Sequence, residues 1–179
     1  MRYILKDYQT DAVAKVLDNM TLAKVLHDQL GKRCQFSLSA TTGAGKTVMA
    51  AAVIEALFFG SDEYDFASDP GAVVLWFSDD PALNEQSRTR IQAAASDELG
   101  ARLIVIPATF AETKLRAGYV YFLNTQKLSR TSRLVRGDTY GQDDQGEFFS
   151  VRPDDVQQTI YETIRRTVED ENLTLYFCP

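Results

Sequence analysis

The sequence predicts an α/β fold in which helices alternate with the strands of a mainly parallel sheet. The run AVVLWFS at residues 72–78 is almost continuously apolar, as expected of a strand buried on both faces of such a sheet. Stretches with apolar residues at helical spacing alternate along the chain with further short apolar runs. A glycine-rich turn, ATTGAGKT at residues 40–47, joins a predicted strand to a predicted helix.

The predicted elements extend over the chain as a single domain, residues 1–179. In chain order they are a helix at 6–30, a strand (CQFSLSA) at 34–40, a helix at 46–59, a strand at 72–78, a helix from Pro81 to about Leu99, strands at 102–106 and 119–123, a helix at 153–170 and a strand (LTLYF) at 173–177. The polar stretch at residues 137–147 is rich in Gly, Asp and Gln, which is typical of a flexible insertion.

The amino-acid composition limits the classes of protein to which this chain could belong. Of the 179 residues, 45% are hydrophobic and 25% are charged, which indicates a globular chain with a sizeable core. The net charge of -6 argues against a protein that holds nucleic acid by bulk charge alone, although a local basic groove remains compatible with it. The start, MRYILKDYQ, is too polar for a signal peptide, and no apolar run approaches about 20 residues. We therefore expect a soluble, cytoplasmic protein without a membrane partner.

Three further residues could carry chemistry but do not form a site in the sequence. Cys34 and Cys178 lie far apart in apolar stretches, and we expect both to be buried free thiols rather than a disulfide or metal ligands. His27 is the single histidine and has no companion for a metal site or a catalytic triad.

The glycine-rich turn predicts a phosphate site. A helix N-terminus offers free N–H groups and a partial positive charge, and Gly43 and Gly45 let the backbone curl around an anion. Lys46 can stabilise charge on the β- and γ-phosphates, and the Thr47 hydroxyl can bind Mg²⁺. The pattern G-x-x-x-x-G-K-S/T is met from its second position, with Ala40 at the first. We expect ATP and Mg²⁺ to bind at Thr42, Gly43, Ala44, Gly45, Lys46 and Thr47.

The spelling AxTGxGKT resembles this loop in superfamily-two helicases and translocases, and a segment upstream extends the resemblance. LKDYQTDAV, at residues 5–13, is similar to the leading segment of that group. The resemblance implies that the Gln9 amide recognises the adenine edge while Tyr8 packs or stacks beside it. An ordinary helix N-terminus is the alternative for this segment.

Two later motifs resemble the strand–loop–helix segments with which these motors grip DNA. In VVLWFSDDPALNEQSRTRI, the matching positions are Ser78, Pro81, Leu83 and Gln86. The carboxylates of Asp79 and Asp80 are unusual there because they repel phosphates, and the alternative is an ordinary helix that Asp80 caps. In GYVYFLNTQKLSR, the resemblance implies backbone-phosphate contacts by Asn124, Thr125 and Gln126, with positive charge from Lys127 and Arg130; a plain turn after a strand is the alternative.

Together these motifs resemble the restriction subunits of type III restriction–modification enzymes and their DEAD/DEAH-like relatives. The resemblance implies part of the first RecA-like ATP-binding helicase domain, a three-layer P-loop NTPase fold. It also implies two partners: duplex DNA, weakly bound by this chain alone, and either the remainder of the motor or a modification or specificity subunit.

The hydrolytic carboxylates of that family are not found where the resemblance would place them. In the family a D-E-x-H box follows an apolar strand at once, whereas here NLTLYF is followed by Cys178 and Pro179. We therefore expect a sheet that is incomplete at the C-terminus and little ATP hydrolysis by this chain alone. The alternatives are a non-hydrolysing regulatory module that acts with a partner chain and a small-molecule kinase, which would have no need for Gln9 or the segment at 124–126.

Overall fold

A computed structural model describes residues 1–128 and 159–178, including every side chain in those ranges except those of Gln126 and Lys127. The predicted insertion at 137–147, Arg130 and the first residues of the helix predicted at 153–170 lie outside the described residues. The described chain forms two units: the first comprises residues 1–70 and 87–102, and the second comprises residues 71–86 together with those from 103 onward.

The first unit is helical. Its helices are α1 (Asp7–Leu30), α2 (Lys46–Phe59) and the short α4 (Asp97–Gly100), while α3 (Pro81–Ala94) begins in the second unit and ends in the first. Helix α1 ends where Gly31 adopts the left-handed conformation and donates its N–H to the His27 carbonyl, while the Lys32 N–H donates to the Leu26 carbonyl. Buried apolar side chains of α1 and α2 form the core: Val13, Leu17, Met20, Met49, Ile54 and Leu57.

The described part of the second unit contains a four-stranded sheet in which every pairing is parallel. Its strands are β1 (Ala72–Ser78), β2 (Leu103–Val105), β3 (Val120–Asn124) and β4 (Thr174–Cys178), in the order β2-β3-β1-β4. The register places Ser78 opposite Asn124, so the carboxyl ends of β1 and β3 lie side by side. This adjacency brings two of the predicted DNA-contact motifs together.

Within the part of the second unit that the structure describes, one helix contributes to the core of this sheet. Helix α5 (Ile160–Glu169) contributes Ile160 to a cluster that includes Val73, Leu75, Tyr121 and Leu123. Two buried threonines hold α5 against the segment that precedes β3. The Thr163 hydroxyl donates to the Glu112 carbonyl at 2.6 Å, and the Thr167 hydroxyl accepts from the Leu115 N–H at 2.9 Å.

The strand predicted at residues 34–40 is wrong. The structure has no strand there, and the two apolar side chains that suggested one, Phe36 and Leu38, are 45% and 39% exposed. A strand needs a ladder partner, and none of the four strands pairs with this segment. The prediction of a buried thiol is also wrong for Cys34, which is exposed, whereas burial raises the pKa of Cys178 to about 11.

The long helix predicted from Pro81 to about Leu99 is divided. Helix α3 ends at Ala94, and Ser96 caps α4 by accepting from the Leu99 N–H at 3.3 Å. The Ser96 N–H in turn donates to a carboxylate oxygen of Glu55 at 3.0 Å, a long-range contact that periodicity along the chain does not reveal. After β3, residues Thr125–Leu128 form a single 3-10 turn.

Among the helices of residues 1–128 and 159–178, none is long and apolar enough to cross a membrane.

Candidate nucleotide site and nucleic-acid interface

The glycine-rich turn forms a tight loop directly before α2. The Ala44 N–H donates to the Thr41 carbonyl at 3.2 Å, and Gly43 and Gly45 take φ values of 85° and 84°. These angles lie in the left-handed region, which glycine reaches without a Cβ penalty. The Gly45 carbonyl then accepts the first helical bonds, from the Val48 and Met49 N–H groups. The sequence therefore folds into a loop whose backbone reverses just where the helix begins.

The N-terminus of α2 is left open for an anion. Gly45 is its N-cap and supplies no side-chain cap, and the first turn contains no acidic residue. Unsatisfied N–H groups and the helix dipole make such an end attractive to a negative charge. A phosphate group would meet both features there.

The Lys46 ammonium lies over the loop. Its Nζ donates to the Ala40 carbonyl at 2.7 Å and to the Thr41 carbonyl at 3.1 Å. An ammonium has three donor hydrogens, so one remains for a further acceptor while both contacts persist. Lys46 is exposed and Thr47, the next residue, is half-buried.

The start of α1 contacts the same loop from another side. The Tyr8 hydroxyl and the Gln9 Nε2 both donate to the Ala44 carbonyl, at 3.1 and 2.9 Å. Gln9 is only 8% exposed, and its Oε1 accepts from the Lys6 N–H at 3.0 Å. A Cβ at Gly45 would lie 2.4 Å from the Gln9 Nε2, so the glycine is required for this approach. Sequence reasoning named Tyr8 and Gln9 but missed the Ala44 carbonyl that joins them to the loop.

A cavity of about 550 Å³ opens between these elements. Its size falls within the range of small-molecule sites. The residues that line it are Tyr8, Ala12, Leu38, Ser39, Ala40, Thr41, Thr42, Gly43, Ala44 and Met49. The lining combines an aromatic ring with the backbone of the glycine-rich loop, and these features fit a nucleotide that stacks at one end and carries phosphates at the other.

A second polar cluster lies in the other unit, where β1 and β3 end. The Ser78 hydroxyl is 2.8 Å from both the Asp80 carbonyl and the Asn84 Oδ1. The Asn124 Nδ2 donates to the Asp79 carbonyl at 3.3 Å, and the Thr125 hydroxyl donates to the Asp79 carboxylate at 3.1 Å. The turn after β1 is thus fastened to the end of β3 by residues from both motifs.

The two aspartates of this turn have different contacts. The Asp80 Oδ1 accepts from the Ala82 N–H at 2.8 Å, so Asp80 caps α3, as the alternative interpretation of this motif predicted. Asp79 instead contacts Asn124 through its carbonyl and Thr125 through its carboxylate. Sequence reasoning treated Asp79 only as a source of repulsion and missed these contacts, for which the sequence holds no signal.

The predicted DNA-contact residues differ in accessibility. Pro81, Gln86 and Thr125 are exposed, and Ser78 is half-buried. Asn124 is only 1% exposed, so its amide supports the turn from within rather than facing solvent. Gln126 and Lys127 belong to the 3-10 turn, and their side chains lie outside what the structure describes.

The glycine-rich loop with its lysine, in a chain whose sheet is entirely parallel, defines a P-loop nucleotide-binding protein. Comparison with known protein families identifies the family to which this nucleotide-binding chain belongs. The family model described as "Type III restriction enzyme, res subunit" matches residues 2–173, and the chain belongs to this family. The fold is accordingly a RecA-like P-loop domain, the N-terminal domain of superfamily-two helicases, which confirms the predicted fold class and family. No curated protein and no solved structure gives a significant match.

Membership of this family places the chain among the helicase-type, ATP-binding motor domains of restriction enzymes.

Proposed function

We propose that these 179 residues form one part of a DNA translocase or helicase motor, in which they bind ATP together with Mg²⁺. The observation that carries the proposal is the loop before α2, with its two left-handed glycines, its lysine, and the Tyr8 and Gln9 side chains held against the Ala44 carbonyl. Family membership supports the same conclusion independently of that geometry.

Each residue of the loop has a proposed role. The backbone N–H groups of Gly43 and of residues 45–47 would surround the β- and γ-phosphates at the positive end of α2. Lys46 would move its ammonium from the Ala40 and Thr41 carbonyls toward the phosphates. Thr47 would supply a hydroxyl ligand to Mg²⁺, which neutralises phosphate charge when bound with the nucleotide.

The adenine would lie at the Tyr8 and Gln9 side of the cavity. Tyr8 is half exposed and lines the cavity, so its ring is accessible to a base. Among residues 1–128 and 159–178, each polar atom of the Gln9 amide makes one contact, to Ala44 and to Lys6. A primary amide has a second donor hydrogen and a second lone pair, and these remain for the base edge.

DNA would contact the surface where β1 and β3 end. The exposed residues Pro81, Gln86 and Thr125, with the neighbouring Gln126 and Lys127, are the proposed contacts, and Ser78 and Asn124 hold the turn in place. Binding by this chain alone would be weak because its net charge of -6 opposes the approach of a polyanion.

Hydrolysis of ATP would require a pair of carboxylates directly after a strand, and these 179 residues do not supply such a pair. No Asp-Glu pair in the sequence directly follows an apolar strand, and Asp79 and Asp80 are engaged in the turn after β1. We therefore propose that the 179 residues tested alone bind ATP and hydrolyse little of it. The remainder of the motor, or a modification or specificity subunit, would complete the reaction; a regulatory module that uses ATP binding alone is the second candidate.

The role of Lys46 is tested by titrating a fluorescent ATP analogue with Mg²⁺ into the wild type and the Lys46→Ala variant. Loss of the charge-assisted contact should weaken binding by about 1.5–3 kcal/mol, or roughly ten- to a hundredfold. Lys15→Ala is the matched control, since it removes the same charge from an exposed position of α1 that does not line the cavity. Equal affinities of the wild type and Lys46→Ala would contradict the proposal.

A further inference from the structure

We propose that Asp79 sets the strength of DNA binding by keeping the Thr125 hydroxyl occupied. The inference rests on the proposed DNA contact at the ends of β1 and β3, and it concerns a residue that the resemblance gives no role. Asp79 is a positioning residue in this account, because it acts on DNA through Thr125.

Contacts within the protein hold both Asp79 and Thr125 in place. Asp79 follows the last residue of β1, and its carbonyl accepts from the Asn124 amide at 3.3 Å. Asn124 is 1% exposed, so the end of β3 is anchored in the interior. Thr125 follows at once and is exposed, with its hydroxyl 3.1 Å from the Asp79 Oδ1. The Thr125 hydroxyl is therefore accessible to solvent but directed at a carboxylate of its own chain.

One hydroxyl cannot serve two anions as a donor. The Thr125 hydroxyl has a single hydrogen, and while the Asp79 carboxylate accepts it, a DNA phosphate cannot. A phosphate must also approach the Asp79 charge itself, which repels it. Asp79 thus opposes DNA binding in two separable ways: it competes for the hydroxyl, and it adds negative charge.

Asp80 carries the same charge one residue further on but has another role. Its carboxylate caps α3 through the Ala82 N–H at 2.8 Å. Asparagine caps a helix as well as aspartate does, so Asp80→Asn removes the charge and keeps the cap. This variant measures the charge effect at the turn without releasing Thr125.

Salt separates the two contributions. Repulsion between exposed charges is screened within about 10 Å at 0.1 M salt and about 3 Å at 1 M. A hydrogen bond from a neutral hydroxyl to a phosphate is much less sensitive to salt than the repulsion between two charges. The benefit of removing charge should therefore fade as salt is raised, whereas the benefit of freeing the hydroxyl should persist.

The experiment measures binding of the full chain to a fluorescein-labelled duplex over a range of salt concentrations. Asp79→Ala should bind the duplex about two- to tenfold more tightly than Asp80→Asn, which is the gain expected from one additional hydrogen bond. This difference should remain at the highest salt at which binding is measurable. Asp79→Ser, which also removes the carboxylate, is the second variant should Asp79→Ala fail to fold.

A double-mutant cycle with Thr125→Val tests the competition directly. In the wild-type background Thr125→Val should change duplex affinity little, because Asp79 already occupies the hydroxyl. In the Asp79→Ala background it should cancel the two- to tenfold gain. A purely structural role of the Asp79–Thr125 contact would appear as coupling in the melting temperature without coupling in DNA affinity.

Two results would overturn the inference: the same duplex affinity for Asp79→Ala and Asp80→Asn at every salt concentration, or the same effect of Thr125→Val in both backgrounds. Absence of duplex binding by all variants, with ATP binding intact, would overturn the proposed DNA contact itself and this inference with it.

Discussion

Of the two glycines in the phosphate loop, Gly45 leaves less room for a side chain than Gly43 does. Gly45→Ala places a methyl group 2.4 Å from the Gln9 Nε2, so the Gln9 amide must leave the Ala44 carbonyl. Gly43→Ala is the matched control, because Gly43 has nearly the same φ of 85° but nothing within 4 Å of its added Cβ. Both variants incur the strain of a left-handed alanine, roughly 1–2 kcal/mol.

We expect Gly45→Ala to lower both the melting temperature and the affinity for Mg·ATP more than Gly43→Ala does. The additional loss should disappear in the Gln9→Ala background, where no amide occupies that space. If the two glycine variants differ equally in both backgrounds, the approach of Gln9 to the loop is not what Gly45 protects.

The proposed role of Gln9 also predicts that the site distinguishes adenine from guanine nucleotides. If its remaining donor and acceptor read the adenine edge, the wild type should bind ATP more tightly than GTP, and Gln9→Ala should abolish that preference. Tyr8→Phe is the control, since it removes a hydrogen bond to the same Ala44 carbonyl while the ring and the Gln9 amide stay. Competition of ATP and GTP for a fluorescent nucleotide measures the preference. An unchanged ratio in Gln9→Ala would remove the base-reading role.

Among the elements, the link between α5 and β4 should make stability depend on pH. Hydrogen bonding from Lys114, and then from the backbone and side chain of Asn172, lowers the pKa of Asp170 from 3.8 to about 2. A carboxyl group whose pKa is lower in the folded state stabilises the fold above pH 3.8, and this contribution is lost as the pH falls through 2.

Chemical unfolding between about pH 5 and pH 2 measures this contribution. The stability of Asp170→Asn should fall less with decreasing pH than that of the wild type, and high salt should reduce the difference. Glu169→Gln removes a charge at the neighbouring position and should follow the wild type. If Asp170→Asn and Glu169→Gln have the same pH dependence, the ion pair with Lys114 does not act in the way described.

The elements also show what sequence alone could predict. Helix α2 and strand β1 have the predicted bounds because a glycine or proline limits each of them and an apolar run fills it. The segment at 34–40 carries a similar local signal, yet it forms no strand, because a strand also depends on a neighbour that supplies hydrogen bonds. At the division of the helix after α3, Ser96 caps α4 and its N–H contacts Glu55, which lies 41 residues away.

The two candidate sites also differ in how far the sequence alone could predict them. The phosphate loop was predictable because its glycines, lysine and threonine are consecutive, and their chemistry follows from local backbone geometry. The contact of Asp79 with Thr125 joins residues 46 positions apart through the pairing of β1 with β3. Only the register of the sheet reveals that these side chains meet.

At the scale of the whole molecule, DNA binding should be weak and should decrease steeply with salt, because a chain of net charge -6 depends on few local cations. Lys127→Ala should weaken duplex binding and reduce the slope of log K against log salt concentration by about 1, the value for one phosphate contact. Gln126→Ala should weaken binding without changing the slope. Tight binding that survives high salt would indicate a different surface.

We propose above all that this chain binds Mg·ATP through the loop before α2. Titration of the isotopically labelled chain with Mg·ATP, followed through its backbone amide signals by NMR, tests it most directly. We expect the largest changes at residues 43–47 and at Tyr8 and Gln9, where the loop and the start of α1 meet. Two results would contradict binding at this loop. One is nucleotide binding with signal changes confined to other residues, and the other is no signal change at a nucleotide concentration that saturates most ATP-binding proteins.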